Sequence, residues 1–173
     1  MKKVFLMTML MLLGSIAANA QKYALIDMEY ILKKIPAYER ANEQLDQTSK
    51  QWQAEVDNAR SGAKSLYESY QNSGASLGAD QKKKKENEII AKENEANELK
   101  MKYFGSDGEL YKKRESLMKP IQNQIYNAVK AISESQGYSM VIDRASAQNI
   151  IFASPNIDIS DEIIAKLGYS SNN

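Results

Sequence analysis

The sequence predicts an α+β fold: a small β-sheet or barrel hub shared between subunits, with one long antiparallel coiled-coil helical hairpin per chain. Three observations carry this expectation. The stretches "YALID" at 23–27 and "YSMVID" at 138–143 read as short strands at either end of the chain. Apolar residues between them recur at heptad spacing. The cluster "NSGASLGAD" at 72–80 divides that repeat in two, as a turn between helices does.

The first twenty residues read as an export signal rather than as part of the fold. Lys2 and Lys3 precede an apolar run at 4–13, and Ala18-Asn19-Ala20 supplies a small-x-small cleavage pattern, so the mature chain is expected to begin at Gln21. The apolar run is too short for the alternative, a membrane-spanning anchor. With no cysteine for lipid attachment, the expected product is a soluble protein of the bacterial periplasm.

Charge and composition exclude several classes. The chain has 23 Lys+Arg and 22 Asp+Glu; without Lys2 and Lys3 the balance is 21 against 22, a formal −1. A general nucleic-acid binder is more basic, so no nucleic-acid partner is expected. With no cysteine, no disulfide framework holds this exported chain. Cysteine and histidine are both missing, so the commonest metal ligands and general bases are missing too. No P-loop spacing or Gly-rich loop after a strand is present, and no cofactor, metal or catalytic residue is assigned.

Each element has a local reason. "KYALID" is apolar and aromatic enough for a buried strand, and "MEYILKKI" at 28–35 makes two helical turns before Pro36. Pro36 suits the first position of a new helix. Along 37–72 the apolar residues Leu45, Trp52, Val56, Ala59, Ala63, Leu66 and Tyr70 follow the alternating steps of four and three that define an a/d seam. This outgoing helix is roughly 54 Å long at about 1.5 Å per residue. Asp80 is placed to cap the return helix, which runs to Gln136 with Ile89, Ala96, Tyr103, Leu110 and Leu117 as its seam. A second stripe of Phe104, Tyr111, Met118 and Ile125 lies beside it. That width exceeds one partner helix, so the stripe either packs on the body of the same chain or meets neighbouring subunits or a ligand. Packing is the expectation below Met118.

Gly105 and Gly108 in "YFGSDGEL" mark either a flexible joint, a short break in the return helix, or a tolerated pair on a solvated face. Pro120 is expected to kink the helix. After Gly137, "YSMVID", a turn around "RASAQ" and "NIIFAS" read as a β-hairpin, giving about three strands per chain. Ser160 is the expected N-cap of a last helix that Gly168 ends. A body this small is marginal alone, and its open sheet edges invite pairing between copies. Leu25, Ile26, Val141, Ile142, Ile150, Ile151 and Phe152 are the expected hub residues of an oligomer.

At "YALIDMEYILKKIPAYERA" and "GYSMVIDRASAQNIIFASPNIDISDEIIAKL" the chain resembles the Skp, or OmpH-like, family of periplasmic chaperones for outer-membrane proteins. The resemblance covers essentially all of the chain after the signal. It implies a trimer with a β-barrel hub and three coiled-coil tentacles around a cavity, in which unfolded outer-membrane proteins are held without nucleotide. In those terms 1–20 is the signal peptide, 21–36 and 137–169 the trimerisation body, 37–136 the tentacle with its tip near 72–80, and 170–173 a flexible tail. The chain departs from its strongly basic relatives in being near neutral, so apolar and aromatic contact is expected to dominate capture.

The expected client-contact residues are Tyr67, Met101, Phe104 and Tyr111, with Tyr70 and Tyr103 on the seam but partly exposed. The alternative is that such an aromatic stripe is core. Lys82, Lys83, Lys84 and Lys85 either form a solvated helix start or contact an anionic membrane surface or lipopolysaccharide. The rival function is an adaptor that uses the same arms to bridge folded envelope partners; an enzyme is a third, remote class.

Overall fold

The computed structural model describes residues 21–170. The expected signal peptide at 1–20 lies outside the described residues, as does the tail at 171–173. The described chain forms two compact units, one comprising residues up to Lys34 together with those from Ile125 onward, the other Ile35–Gln124.

In the first unit, β1 (Lys22–Ile26) pairs in parallel with β2 (Tyr138–Asp143), matching Ala24 with Val141 and Leu25 with Ile142. Parallel neighbours need a long crossover, and here all of the hairpin sequence lies between them. β1 is the inner strand. Its other side carries a bridge from Leu25 to Asp158, with the Ile159 N–H donating to the Leu25 carbonyl at 2.9 Å. That position explains why Ala24, Leu25 and Ile26 are all buried whereas no β2 residue is. α1 (Met28–Lys33) starts where the Asp27 carboxylate accepts the Tyr30 N–H at 2.9 Å, an N-cap bond. It packs against α5 (Ser160–Lys166), joining Ile31 to Ile163 and Ile164 in the core. The last turns of α4 (Glu109–Gln136) add Ile125, Ala128 and Ile132 as buried residues of the same unit, at the helical spacing of a single face. Gly137, at φ 75°, ends α4 in a left-handed conformation that a side chain disfavours.

Three local expectations need correction. "NIIFAS" forms no strand, so the described sheet is two-stranded and the C-terminal hairpin is not formed. A strand exists only where a ladder satisfies its backbone groups. After β2 the chain instead turns through Ala145, whose N–H donates to the Asp143 carboxylate at 3.0 Å, and continues to a 3₁₀ turn at Pro155–Ile157. Ser160 is the first residue of α5 rather than its cap, because its hydroxyl accepts the Asp27 N–H at 2.8 Å; the Ser160 N–H goes to the Asp158 carboxylate at 2.9 Å. Asp80 likewise lies in the first turn of its helix, whose cap position is Gly78.

In the second unit, α2 (Pro36–Ser73) and α3 (Ala79–Phe104) form the hairpin, with a 3₁₀ turn at Gly74–Ser76 between them. Its seam buries Leu45, Val56 and Ala63 from α2 and Ile89, Ala96 and Tyr103 from α3. Two cross-helix pairs set an antiparallel register. The Tyr70 hydroxyl donates to Glu86 at 2.5 Å, and that of Tyr103 to Glu55 at 2.6 Å. Lys50–Asp46, Lys64–Glu68 and Lys92–Glu95 are exposed pairs along single helices. Exposed pairs of this kind add little to stability, so the seam and not the surface charge holds the hairpin.

The return helix breaks between Phe104 and Glu109, while Pro120 lies inside α4 without ending it. Sterics explain the two glycines of the break. A Cβ on Gly105 would stand 2.5 Å from the Met101 carbonyl oxygen, and one on Gly108 only 2.7 Å from that of Tyr103. Backbone on backbone has no flexible end to yield, so Gly108→Ala is expected to lower stability by about 1–3 kcal/mol in denaturant unfolding.

Candidate functional site

The expected contact residues of the hairpin divide into those that its own packing uses and those left outward. Tyr103 belongs to the first group. It is 8% exposed, its ring stacks on Trp52 with centroids 4.8 Å apart and planes within 1°, and its hydroxyl is held by Glu55. The hydrogen bond to Glu55, with burial and the carboxylate charge behind it, pushes its phenol pKa above the ordinary 10.0. Tyr70 is half-buried and bound to Glu86, which raises its pKa in the same way. Phe104 is half-buried, meeting the Tyr103 ring edge-on at 6.4 Å.

Tyr67, Met101 and Tyr111 are outward, at 48%, 66% and 48% exposure. Tyr67 lines a shallow groove between α2 and α3 with Ala63 and Ala96 at its floor, flanked by Arg60 and Lys64 on one helix and Glu93 and Asn97 on the other. Its phenol oxygen accepts from Gln71 at 2.8 Å. Tyr111 donates to Glu115 one turn on, at 3.1 Å, and this bond raises its pKa. Ile90 joins the outward set at 53% exposure. Eleven residues separate it from Met101, three helical turns, so both share one face of α3. Ile90 sits one position past the seam residue Ile89, off the heptad seam. Tyr126, in the first unit, is similarly exposed beside the buried Ile125. These side chains offer apolar and amphipathic contact with no fixed chemistry. Among the described residues no group of His, Cys, Asp or Glu could hold a metal ion.

The four lysines occupy the first turns of α3. Lys82 is half-buried and Lys83, Lys84 and Lys85 are exposed; Lys85 pairs with Glu88 at 3.3 Å. Lys84 and Lys85 line a hollow with Leu77, Gln81 and Glu88. Cations here oppose the helix dipole, so their placement does not serve helix stability.

The expected hub residues also divide. Leu25 and Ile26 are buried in their own unit, Val141, Ile142 and Ile150 are half-buried, and Ile151 and Phe152 stand fully outward at 101% and 85% exposure. The neighbouring Asp143 anchors the turn before them. Burial opposes its ionisation, but hydrogen bonds from Ser146 and from the Met28 and Ala145 N–H groups outweigh burial and hold its pKa below 3.8. A depressed carboxylate stabilises the fold above its unfolded pKa and loses that contribution as pH falls through the folded value. Asp143→Asn is therefore expected to flatten the acid limb of the stability profile below about pH 4, measured by unfolding across pH.

No helix among the described residues is long and apolar enough to cross a membrane. The model of the family described as "Outer membrane protein (OmpH-like)" matches residues 22–167. Chaperone protein Skp of Yersinia enterocolitica is 26% identical over 158 residues, covering 91% of this chain and 93% of that one. Chaperone protein Skp of Photorhabdus luminescens is 27% identical over 128 residues, covering 73% and 75%. A crystal structure of an OmpH-like protein from Caulobacter crescentus CB15 superposes with a TM-score of 0.68 over 87% of this chain and 86% of that one, at 14% identity, a likeness of fold. With both strands, the whole hairpin and the last helix inside the matched span, this chain belongs to the OmpH-like family, whose curated relatives here are Skp chaperones.

Proposed function

We propose that this chain is a periplasmic holdase chaperone, exported by a cleavable signal at 1–20. It binds unfolded outer-membrane proteins between the arms of an oligomer, a trimer by family resemblance, and prevents their aggregation without nucleotide. One observation carries the reading: Tyr67, Ile90, Met101 and Tyr111 are outward on a hairpin whose own seam is already filled. Large side chains left outside the hairpin's own seam suit a partner that presents apolar segments in no fixed geometry. Tyrosine and methionine supply such contact at low entropy cost and with adaptable shape. Many weak contacts in one enclosure then add through effective concentration.

The hub is proposed to form where Ile151 and Phe152 of one copy meet the open edge of β2 in the next, by strand addition. Two features of β2 support this: Met140 is 53% exposed, and among the described residues the strand has a ladder partner on one side only. Lys82 to Lys85 are proposed to touch anionic lipid or lipopolysaccharide, since each lysine near a charged surface contributes about 1 kcal/mol. Co-sedimentation with anionic but not zwitterionic vesicles, diminished when all four are changed to Gln, checks that contact.

Suppression of aggregation tests the function. Substoichiometric protein is expected to keep a denatured β-barrel protein soluble on dilution, with no effect of ATP. Changing Phe104 and Tyr111 to Ser is expected to weaken client binding about tenfold or more at unchanged oligomer mass, the loss of one to two weakly desolvated aromatic contacts. Unaltered client affinity removes those residues from the contact face. Retention of a folded envelope partner that unfolded clients fail to displace replaces the holdase with an adaptor.

A further inference from the structure

Between β2 and α5 the chain makes an uncharged excursion, 145–157, that carries Ile151 and Phe152 at its outer part. Its two flanking residues are charged, opposite in sign and in contact. Arg144 Nε lies 3.3 Å from the Asp158 carboxylate, and the same guanidinium reaches Asp27 at 3.3 Å. The backbone fastens both ends to one strand: the Arg144 N–H donates to the Ile26 carbonyl at 2.8 Å, and the Ile159 N–H to that of Leu25 at 2.9 Å. The two carboxylates are also committed to the fold. Asp27 caps α1 and Asp158 receives the first N–H of α5. Arg144 thus joins three chain segments at the foot of the loop, with Asp27 and Asp158 about three-quarters buried and its own side chain half exposed.

We propose that Arg144 is the clasp of this loop: by spanning Asp27 and Asp158 it fixes both feet and presents Ile151 and Phe152 in the form that a second copy of the chain takes up. This rests on the oligomer reading above. An unclasped loop of this length samples many conformers, and ordering them at association opposes binding; fixing the feet beforehand removes part of that cost. The geometry selects arginine. Its planar fork reaches two carboxylates at once, whereas an ammonium is a single point charge.

The test compares the wild-type chain with Arg144→Met and Arg144→Lys. Amide hydrogen exchange, at concentrations too low for association, is expected to quicken across 145–157 in Arg144→Met while the hairpin keeps its protection. Sedimentation is expected to place the concentration of half-dissociation about tenfold higher, with Arg144→Lys recovering only part. Wild-type exchange rates in the loop of Arg144→Met overturn the clasp, whatever the oligomer does. Quickened exchange with undiminished association also overturns it, because the clasp would then serve the monomer's stability alone. A wild-type chain that never associates sinks the oligomer reading, and the exchange arm alone then decides whether Arg144 orders the loop. If Arg144→Met fails to fold, Asp158→Asn removes the same ion pair while keeping an acceptor for the Ser160 N–H, and the same outcomes apply.

Discussion

Replacing Ile151 and Phe152 together by Asp is expected to leave a folded chain that no longer associates. Each is a large apolar side chain that its own unit leaves in solvent, at 101% and 85% exposure, so its loss takes nothing from the monomer's core. Burying such a side chain at a contact contributes about 1.5–3 kcal/mol. A carboxylate in its place must be desolvated without a partner, which makes the contact unfavourable. The concentration of half-dissociation is expected to rise by at least about a hundredfold in sedimentation equilibrium. Ile142 is a poorer site for the same test, because it faces Leu25 across the β1–β2 pair and a charge there disturbs the sheet itself. An unchanged mass for the double variant places the association surface elsewhere.

The second large effect belongs to the hairpin. Tyr103→Ala removes a buried ring from its stack on Trp52 and takes the donor from Glu55 Oε2, next to the break in the return helix. Truncating a buried aromatic costs about 3–5 kcal/mol, and this site stands at a break where helix hydrogen bonds cannot compensate. Tyr103→Phe keeps the stack and loses the hydrogen bond alone, expected to cost about 1 kcal/mol. The phenol's raised pKa gives the alkaline sign. Its contribution is complete below the unfolded value near 10.0 and disappears as pH rises through the higher folded value. Denaturant unfolding at pH 8 and above pH 10 separates the wild type from both variants: only the wild type carries this share of alkaline loss. Equal stability of Tyr103→Ala and wild type would make the stack incidental.

The hairpin was legible in the sequence because heptad periodicity and turn composition are local signals. Leu45, Val56, Ala63, Ile89, Ala96 and Tyr103 are seam positions in the sequence and buried in the structure. That "YALID" and "YSMVID" are strands of one small sheet was legible for a related reason, since short apolar runs need a ladder to satisfy their backbones; that they pair directly and in parallel was not. Features that depend on tertiary company were not. "NIIFAS" has strand composition, but a strand needs a ladder and among the described residues this stretch forms none. Ser160 has the chemistry of an N-cap, yet Asp27, distant in sequence, claims its hydroxyl. The Arg144 bridge joins Asp27 to Asp158, and no spacing rule connects residues so far apart.

Among the contact residues, heptad position puts Tyr103 on the seam and Tyr67 and Tyr111 off it, and burial follows the same division, with Tyr103 core and the other two outward. How far Tyr103 is covered depends on helix register across the hairpin, which sets its stack on Trp52 and its bond to Glu55, and a one-helix pattern does not contain that. Ile90, one position past the seam residue Ile89 and fourteen before Phe104 of the second stripe, is an outward residue that the sequence reading did not single out.

The mass of residues 21–173, measured alone and with one unfolded porin by sedimentation equilibrium, tests the central claim most directly. Three copies of the chain, and the same three copies with one porin in a soluble complex, are the predicted species. A single copy at every concentration, with the porin lost to aggregates at the same rate as in buffer, contradicts the account.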